Sequence, residues 1–309
     1  MQIESVTDFL SRLSNSAGVV LLYHATFARV PSSLAKGLHN IRPEILRTQI
    51  EGLARYFKFI DVDEFAILDD PRGYAAVSFD DGYRCIFDEA LPIFEELNIP
   101  ITVYLNGINF AGGSFWRDKV RLVENHGWTS EFERFSDAFK SVSGKRFYRY
   151  SKNPAINSRI IDQELDRFIA HKGGIDTRVT ACVDNIDDLP RHPLVGYGNH
   201  SQHHYVLSSL DATEQHLEIT ATDDLLERIE NAHISKLFSV PFGDVGDFNE
   251  ETVRILKDAN YNHVLMSRGH AHRGNHSVHG ITAVERCMPA DTIVDLGLGA
   301  LRTNKHHYG

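Results

Sequence analysis

The sequence predicts an α/β protein, a distorted (β/α) barrel of about seven parallel strands with a long helical insertion. Short apolar runs without polar alternation recur along the chain, and segments with apolar residues at helical spacing separate them. Strands that are buried on both faces of a parallel sheet give such continuous apolar runs. Because strand and helix alternate about seven times, we expect the sheet to close into a barrel.

The elements can be placed in order from the amino end. An amphipathic helix over residues 6–13 precedes a buried strand over residues 18–24, which ends on a histidine. Further strands are predicted at residues 57–60, 75–80, 99–105, 194–198, 237–241, 261–266 and 281–287. Further helices are predicted at residues 43–56, from the mid-80s to 97, at 213–232 and 249–259, and from about residue 291.

A long charged and aromatic stretch, at about residues 111–191, breaks this rhythm. It contains helical patterns around residues 116–124, 131–140 and 160–171. We interpret it as an insertion on one βα loop rather than as a separate domain. Residues 1–309 are therefore expected to form a single domain.

The composition narrows the classes of function. The chain has 309 residues, is 42% hydrophobic and has a formal net charge of −10, which disfavours nucleic acid as a partner. Its three cysteines give neither a disulfide framework nor a cysteine zinc motif. The first residues include acids where a signal peptide has bases, and no apolar run reaches membrane-spanning length. We therefore expect a cytoplasmic protein without an integral membrane segment.

Two adjacent carboxylates, Asp80 and Asp81, follow directly after the apolar run at residues 75–79, and Gly82 comes next. The pattern places both acids at the carboxyl end of a strand, where α/β proteins position their chemistry. Neighbouring carboxylates repel each other, and a bound cation stabilises such a pair. The alternative is an Asp-Asp-Gly turn in which one aspartate caps the next helix.

A second polar cluster, Asn-His-Ser-Gln-His-His at residues 199–204, follows another predicted strand. His200 and His204 are four residues apart, so on a helical turn they would share one face and could bind one metal. The alternative is an incidental spacing. A site made of one carboxylate and two histidines leaves room for water and substrate, and the second aspartate is then free to act as a base.

Three segments together resemble the polysaccharide deacetylase family (NodB homology, carbohydrate esterase family 4). They are Ser-Phe-Asp-Asp-Gly at residues 78–82, His-Ser-Gln-His-His at residues 200–204 and Val-Pro-Phe-Gly at residues 240–243, and the resemblance spans roughly residues 19–287. It implies a distorted barrel of parallel strands and a general base at Asp80. The implied ligands of a divalent metal, most readily Zn²⁺ with Co²⁺, Ni²⁺ or Mn²⁺ as alternatives, are Asp81, His200 and His204. His203 competes for the last place, and the backbone N–H of Phe242 is the implied oxyanion donor.

The usual family members carry a general acid as the histidine of a late Leu-x-His motif, which has no convincing match here. The late histidines, at residues 270, 272, 276 and 279, lie in a polar stretch that reads as a loop. A circularly permuted subset, related to poly-N-acetylglucosamine deacetylases, places the equivalent histidine in a Tyr-His pair at the end of an early strand. Leu-Leu-Tyr-His at residues 21–24 resembles that arrangement, so His24 is the expected acid; a structural histidine at a strand end is the alternative.

Two further residues are candidates for the site. Family members often have an arginine two residues before the proline of Pro-Phe-Gly, where this chain has Ser239. Arg286, at the end of the last predicted strand, is the candidate to orient the base carboxylate instead; a surface or ion-paired arginine is the alternative. Trp116, in the insertion, is a candidate to stack on a sugar ring, and a packing role is its alternative.

The resemblance implies metal-dependent hydrolysis of an N-acyl group, most readily N-acetyl, from an amino sugar or glycan precursor. By analogy, bacterial surface polysaccharide or O-antigen biosynthesis would suit a cytoplasmic enzyme of this kind. A sugar deformylase or another C–N hydrolase is the first alternative, and product analysis for formate against acetate would distinguish it. A catalytically inactive carbohydrate-binding module is the second alternative, and the sequence does not indicate the oligomeric state.

Overall fold

We describe a computed structural model, which covers residues 6–35, 37–139, 147–174 and 181–289. The helix predicted from residue 291 lies outside these ranges. The strands of the described residues are β1 Val19–Tyr23, β2 Lys58–Phe59, β3 Tyr74–Asp80, β4 Ile101–Leu105, β5 Val195–Asn199, β6 His233–Ser239, β7 His263–Met266, β8 His276–Val278 and β9 Ile281–Cys287.

Seven parallel strands close into a barrel in the order β1, β3, β4, β5, β6, β7, β9, and β9 pairs back onto β1. The predicted barrel is therefore confirmed. A register shift between β5 and β6, at Tyr197 and Asn199, distorts it. The short β2 pairs in parallel with β3, and β8 pairs antiparallel with β9.

The described helices include several whose ends the sequence explains. They are α1 Val6–Ser14, α2 Pro43–Leu53, α3 Val62–Ala66, α4 Leu91–Leu97, α5 Trp116–Asn125, α6 Thr129–Phe135, α7 Phe147–Tyr150, α8 Ser158–His171, α9 Ala212–Leu226 and α10 Glu250–Asp258. Proline opens α2, and reciprocal capping by Asp211 and Glu214 fixes the start of α9.

Some elements differ from the predicted ones. The helix predicted over residues 213–232 ends at Leu226, and β6 begins at His233, four residues before the predicted strand, because turns that include the left-handed Asn231 separate the two elements. The short α3 was not predicted. The late polar stretch, which reads as a loop, contains β8, because residues 276–278 pair with β9.

Alternate residues of each strand face the interior of the barrel. Val20, Ala76, Tyr104, Leu237, Leu265 and Val284 form one apolar cluster there, whereas their sequence neighbours belong to larger clusters between strands and helices. Helix α3 contributes Val62, Phe65 and Ala66 to the interior cluster. This helix follows β2, which pairs with the first residues of β3, so it closes the amino-terminal end of the barrel. The carboxyl-terminal end is left for polar side chains.

The segment between β4 and β5 contains α5 to α8, the helical part of the predicted insertion. Its aromatic side chains, among them Trp116, Phe132 and Phe168, belong to the same apolar cluster as Phe238 of β6 and Val264 of β7. The inserted helices therefore pack directly against the outside of the barrel. The assignment of residues 1–309 to one domain stays a prediction.

Candidate metal and catalytic site

The side chains that the sequence singles out lie at the carboxyl-terminal end of the barrel. Continuing the alternation of the interior residues along each strand leads from Ala76 to Asp80, from Leu237 to Ser239 and from Val284 to Arg286. The same rule leads from Val20 to His24, just after β1. All of these polar side chains except His24, which is intermediate in exposure, are at most 2% exposed.

Asp80 is held by a hydrogen-bond network at the top of the barrel. Two guanidinium nitrogens of Arg286 donate to its two oxygens, each at 2.8 Å. The hydroxyl of Ser239 donates to the same carboxylate at 3.1 Å and 3.2 Å. Burial opposes ionisation of this carboxyl, but the charges of Arg286 and His200 bring the pKa of Asp80 down to about 2. Asp80 is therefore a fixed, ionised carboxylate.

Three possible metal ligands converge beside Asp80. One oxygen of Asp81, Oδ1, lies 3.7 Å from Nε2 of His200 and 3.7 Å from Nε2 of His204. These three residues are buried, and their ligand atoms lie within 4.8 Å of one another. The structure therefore brings together the three residues that the sequence predicts as ligands.

The chemistry of these three residues fits a divalent cation. Oδ1 of Asp81 and Nε2 of His200 are buried without a hydrogen-bond partner among the described residues. Burial raises the pKa of Asp81 to about 8, which disfavours its charged form unless a positive charge is near. Burial lowers the pKa of both His200 and His204, which favours the neutral imidazoles that metals bind. A cation bound here would satisfy each of these groups.

Neighbouring residues orient the candidate ligands. Nδ1 of His200 donates to the carbonyl of Ser239 at 2.8 Å, which leaves Nε2 directed toward the carboxylates. The buried amide of Asn106 donates to the carbonyl of His200 at 2.6 Å. The indole N–H of Trp116 donates to the carbonyl of His204 at 2.8 Å. The sequence gave no signal for Asn106, which lies one residue past the end of β4.

The backbone around the site adopts a conformation that most residues avoid. Four non-glycine residues have positive φ, at Asp81 (73°), Ser201 (64°), His204 (61°) and Phe242 (65°). Such residues are uncommon, and they cluster where the surrounding structure over-determines them, frequently at functional sites. All four lie in the loops that follow β3, β5 and β6, so the strain falls on the segments that aim the candidate ligands.

His24 lies close to this cluster without belonging to it. Burial and the neighbouring His39 lower the pKa of His24, whereas the charge of Asp80 raises it. Nδ1 of His24 is buried without a hydrogen-bond partner among the described residues. His24 and His39 also border a cavity of about 300 Å³. The position leaves His24 able to exchange a proton with a group bound near Asp80.

Two other candidates point elsewhere. Nδ1 of His203 lies 2.5 Å from a carboxylate oxygen of Glu218, so its ring is outside the ligand cluster. Trp116 is 1% exposed, and Arg117, Tyr205 and Phe242 pack around its ring. That burial leaves no face on which a sugar could stack, and it matches the packing role that the sequence also allowed.

A large cavity adjoins the site on the side of the insertion. Its volume is about 1330 Å³, and Tyr148 and Lys152 of the insertion line it together with Phe242, Ser267 and Arg268 of the barrel loops. Ser267 accepts a hydrogen bond from Arg286 at 2.9 Å, and the ring of Phe242 lies 4.6 Å from that of His204. The cavity therefore opens beside both the ligand cluster and the Asp80–Arg286 pair.

Comparison with known proteins supports the predicted resemblance. Residues 68–133 match the family model of polysaccharide deacetylase, a segment that includes β3, β4, Asp80 and Asp81 but ends before His200. No curated protein matches the chain in sequence. The predicted resemblance to polysaccharide deacetylases is confirmed.

Three solved structures show the same fold. The deacetylase PplD of Streptococcus pyogenes, in complex with acetate, is similar with a TM-score of 0.55 and 13% identity, over 91% of this chain and 96% of that one. BA0330 of Bacillus anthracis has a TM-score of 0.53 and 12% identity, over 92% of this chain and 68% of its own. BC0361, a polysaccharide deacetylase of Bacillus cereus, has a TM-score of 0.51 and 13% identity, over 92% and 68%.

Proposed function

We propose that this protein is a metal-dependent hydrolase that removes an N-acyl group, most readily acetyl, from an amino sugar or glycan precursor. The convergence of Asp81, His200 and His204 beside the ionised Asp80 is the observation that carries the proposal. The family match over residues 68–133 supports the reaction class.

Each side chain has a role that its surroundings support. Asp81, His200 and His204 would hold a divalent cation, Zn²⁺ being the first choice for a carboxylate and two imidazoles. When bound, such a cation polarises the amide carbonyl and acidifies water. Asp80, which Arg286 keeps ionised and correctly turned, accepts the proton of the attacking water.

The remaining roles concern the oxyanion and the leaving group. The backbone N–H of Phe242 is the proposed donor to the oxyanion of the tetrahedral intermediate. An amine leaves only when it is protonated, and His24 is the proposed source of that proton. Its position near Asp80, on the adjacent strand β1, supports this role.

Acyl release from a panel of sugars tests the proposal. The protein is loaded with zinc and incubated with N-acetylated and N-formylated amino sugars, and released acetate and formate are quantified. We expect the wild type and His203→Ala to release acetate, and Asp80→Asn and His200→Ala to lose at least 10²-fold in rate. Unchanged release by Asp80→Asn would contradict the proposed base. Formate as the sole product would favour the deformylase, and sugar binding without release would favour the inactive module.

The cellular setting is a wider proposal. A role in bacterial surface polysaccharide or O-antigen biosynthesis rests on analogy and is tested by the glycan composition of a deletion strain. The cytoplasmic location stays a prediction that cell fractionation tests. Among the described residues, no helix is both long and apolar enough to cross a bilayer.

A further inference from the structure

We propose that the cavity beside the site binds a phosphate group of the substrate, through Arg149 and Lys152. The acylated amino sugar would then be a sugar phosphate, or a sugar attached through phosphate to a carrier. This inference rests on the proposed function, because it assumes that the sugar reaches the ligand cluster from this cavity.

The size of the cavity exceeds the need of one sugar ring. Ligand pockets for small molecules usually enclose about 300–1,000 Å³. The cavity here measures about 1330 Å³ and extends from Phe242, at the ligand cluster, to residues 147–154 of the insertion. A sugar at the cluster therefore leaves room for a further group toward the insertion.

Phe242 connects the cations of the cavity to the ligand cluster. Its ring lies 4.6 Å from the ring of His204 on one side and 5.4 Å from Nζ of Lys152 on the other. Nζ of Lys152 is thus separated from a candidate metal ligand by a single aromatic ring. This spacing places the sugar's substituents, rather than a remote part of a polymer, beside Lys152.

Positive charge in this part of the cavity lacks a direct counter-ion. Among the ion pairs of the described residues, none joins a carboxylate to Lys152 or to Arg117. Arg117 lies behind the cavity wall, 2% exposed, between the rings of Trp116, Tyr148 and Phe242. The side chain of Arg149 lines the cavity three residues before Lys152.

The acids of the cavity are occupied or too distant to form an ion pair with Lys152. Asp247 attracts Lys152, but its carboxylate already accepts the backbone N–H of Asp244 at 2.7 Å. Arg268, the other cation of the lining, pairs with Glu285. Burial and the charge of Arg117 lower the pKa of Lys152, so an anion bound at this nitrogen would be favoured.

Phosphate fits these cations better than neutral sugar hydroxyls do. It carries up to two negative charges and several acceptor oxygens, and arginine and lysine side chains bind it through charge-assisted hydrogen bonds. A plain polysaccharide offers no such charge, and two partly desolvated cations would then remain without an anionic partner in the complex.

Calorimetric titration tests the inference independently of catalysis. The zinc-loaded protein is titrated with N-acetylglucosamine, its 1-phosphate, its uridine diphosphate derivative and the carboxylate-bearing N-acetylmuramic acid. Titrations of metal-stripped protein exclude binding of phosphate to zinc. We expect the phosphate compounds to bind at least about tenfold more tightly than the neutral sugar, with or without zinc, a difference of about 1.4 kcal/mol.

Matched variants locate the effect. Lys152→Gln should remove most of this preference, whereas Lys236→Gln, an exposed lysine at the amino-terminal end of β6, should keep it. A tighter nucleotide derivative would assign the carrier as a nucleotide, and equal affinities would place the carrier outside the cavity, as with a lipid. Equal binding of the neutral sugar, tighter binding of the carboxylate sugar, or no effect of Lys152→Gln would overturn the inference. Acyl release from neutral sugars would still test the proposed function separately.

Discussion

The guanidinium of Arg286 binds both oxygens of Asp80 across the top of the barrel, with two distances of 2.8 Å. The two residues end β9 and β3, and β1 lies between these strands. Asp80 is 2% exposed and Arg286 is fully buried. A bidentate pair in such a dry position fixes both the charge and the direction of the carboxylate.

Removal of the arginine should therefore destabilise the fold. In Arg286→Met the carboxylate of Asp80 would stay buried without its partner, and breaking a buried pair on one side costs about 3–5 kcal/mol. Urea unfolding monitored by circular dichroism measures the change. Arg254→Met, which breaks the exposed pairs of Arg254 with Glu251 and Asp258, should cost about 0–1 kcal/mol.

The double variant separates charge from packing. Arg286→Met combined with Asp80→Asn removes both charges, so it should recover part of the stability that the single variant loses. A double variant less stable than Arg286→Met would mean that the lost contacts of Arg286 with Met266 and Ser267 dominate. Both variants should lack acyl release, because neither presents an oriented, ionised base.

His24→Gln should lose catalysis and keep the metal. A positioned general acid contributes about 10²–10⁴-fold, and His24 does not belong to the ligand cluster. Elemental analysis of zinc-loaded protein and initial rates on an N-acetylated amino sugar measure the two effects. His39→Gln, a change beside His24, should lower the rate far less.

An activated ester distinguishes the acid from a structural histidine. The phenolate that leaves 4-nitrophenyl acetate needs no proton, so His24→Gln should hydrolyse this ester at nearly the wild-type rate. An equal loss on the amide and on the ester would contradict the proposed acid and would favour a role of His24 in holding the site together.

Much of this arrangement could be predicted because it depends on local patterns. Continuous apolar runs that end in polar residues give both the strands and the end of the barrel at which Asp80 and His200 lie. Strand alternation then fixes which side chains face inward. The resemblance to a family gave the roles, since neither a pair of aspartates nor a pair of histidines has one reading on its own.

The rest depends on contacts between distant segments. The pairing of Arg286 with Asp80 spans 206 residues and needs the closure of β9 onto β1. Burial of Trp116 depends on how α5 packs against the loop after β5, which no periodicity reveals. The strand β8 was missed because its polar residues stand out only when they pair with β9.

The bond from Trp116 to the carbonyl of His204 should affect metal binding. Trp116→Phe keeps an aromatic ring in the core but loses the indole N–H, so the backbone of His204, which has positive φ, would be held less firmly. Loss of a partner that orients a ligand typically costs about 10–100-fold in metal affinity. Competition with a zinc chelator measures that affinity.

Trp128→Phe is the matched control, because Trp128 packs against Phe168 and His126 in the insertion, away from the cluster. Its zinc affinity should equal that of the wild type. Equal affinities for all three proteins would contradict the role of Trp116 and leave it as a packing residue only.

His272 should make stability fall as the pH is lowered below neutral. Its ring is 1% exposed, its Nδ1 accepts the backbone N–H of Glu285 at 3.3 Å, and burial together with His276 lowers its pKa to about 4. The unfolded chain, with a histidine pKa near 6.5, therefore binds more protons between pH 6.5 and 4. The neutral ring contributes its full stability above pH 6.5 and loses it as the pH falls toward 4.

Urea unfolding at pH 7 and pH 5 checks this in wild type and His272→Gln, whose amide oxygen can still accept the bond from Glu285. The wild type should lose about 2 kcal/mol more than the variant between the two pH values. Other buried histidines, such as His24 and His200, also have lowered pKa values and steepen both curves alike. His216→Gln, an exposed change on α9, should follow the wild type. Parallel losses in wild type and His272→Gln would show that protonation of His272 does not oppose folding, because the variant has no imidazole to protonate at this position.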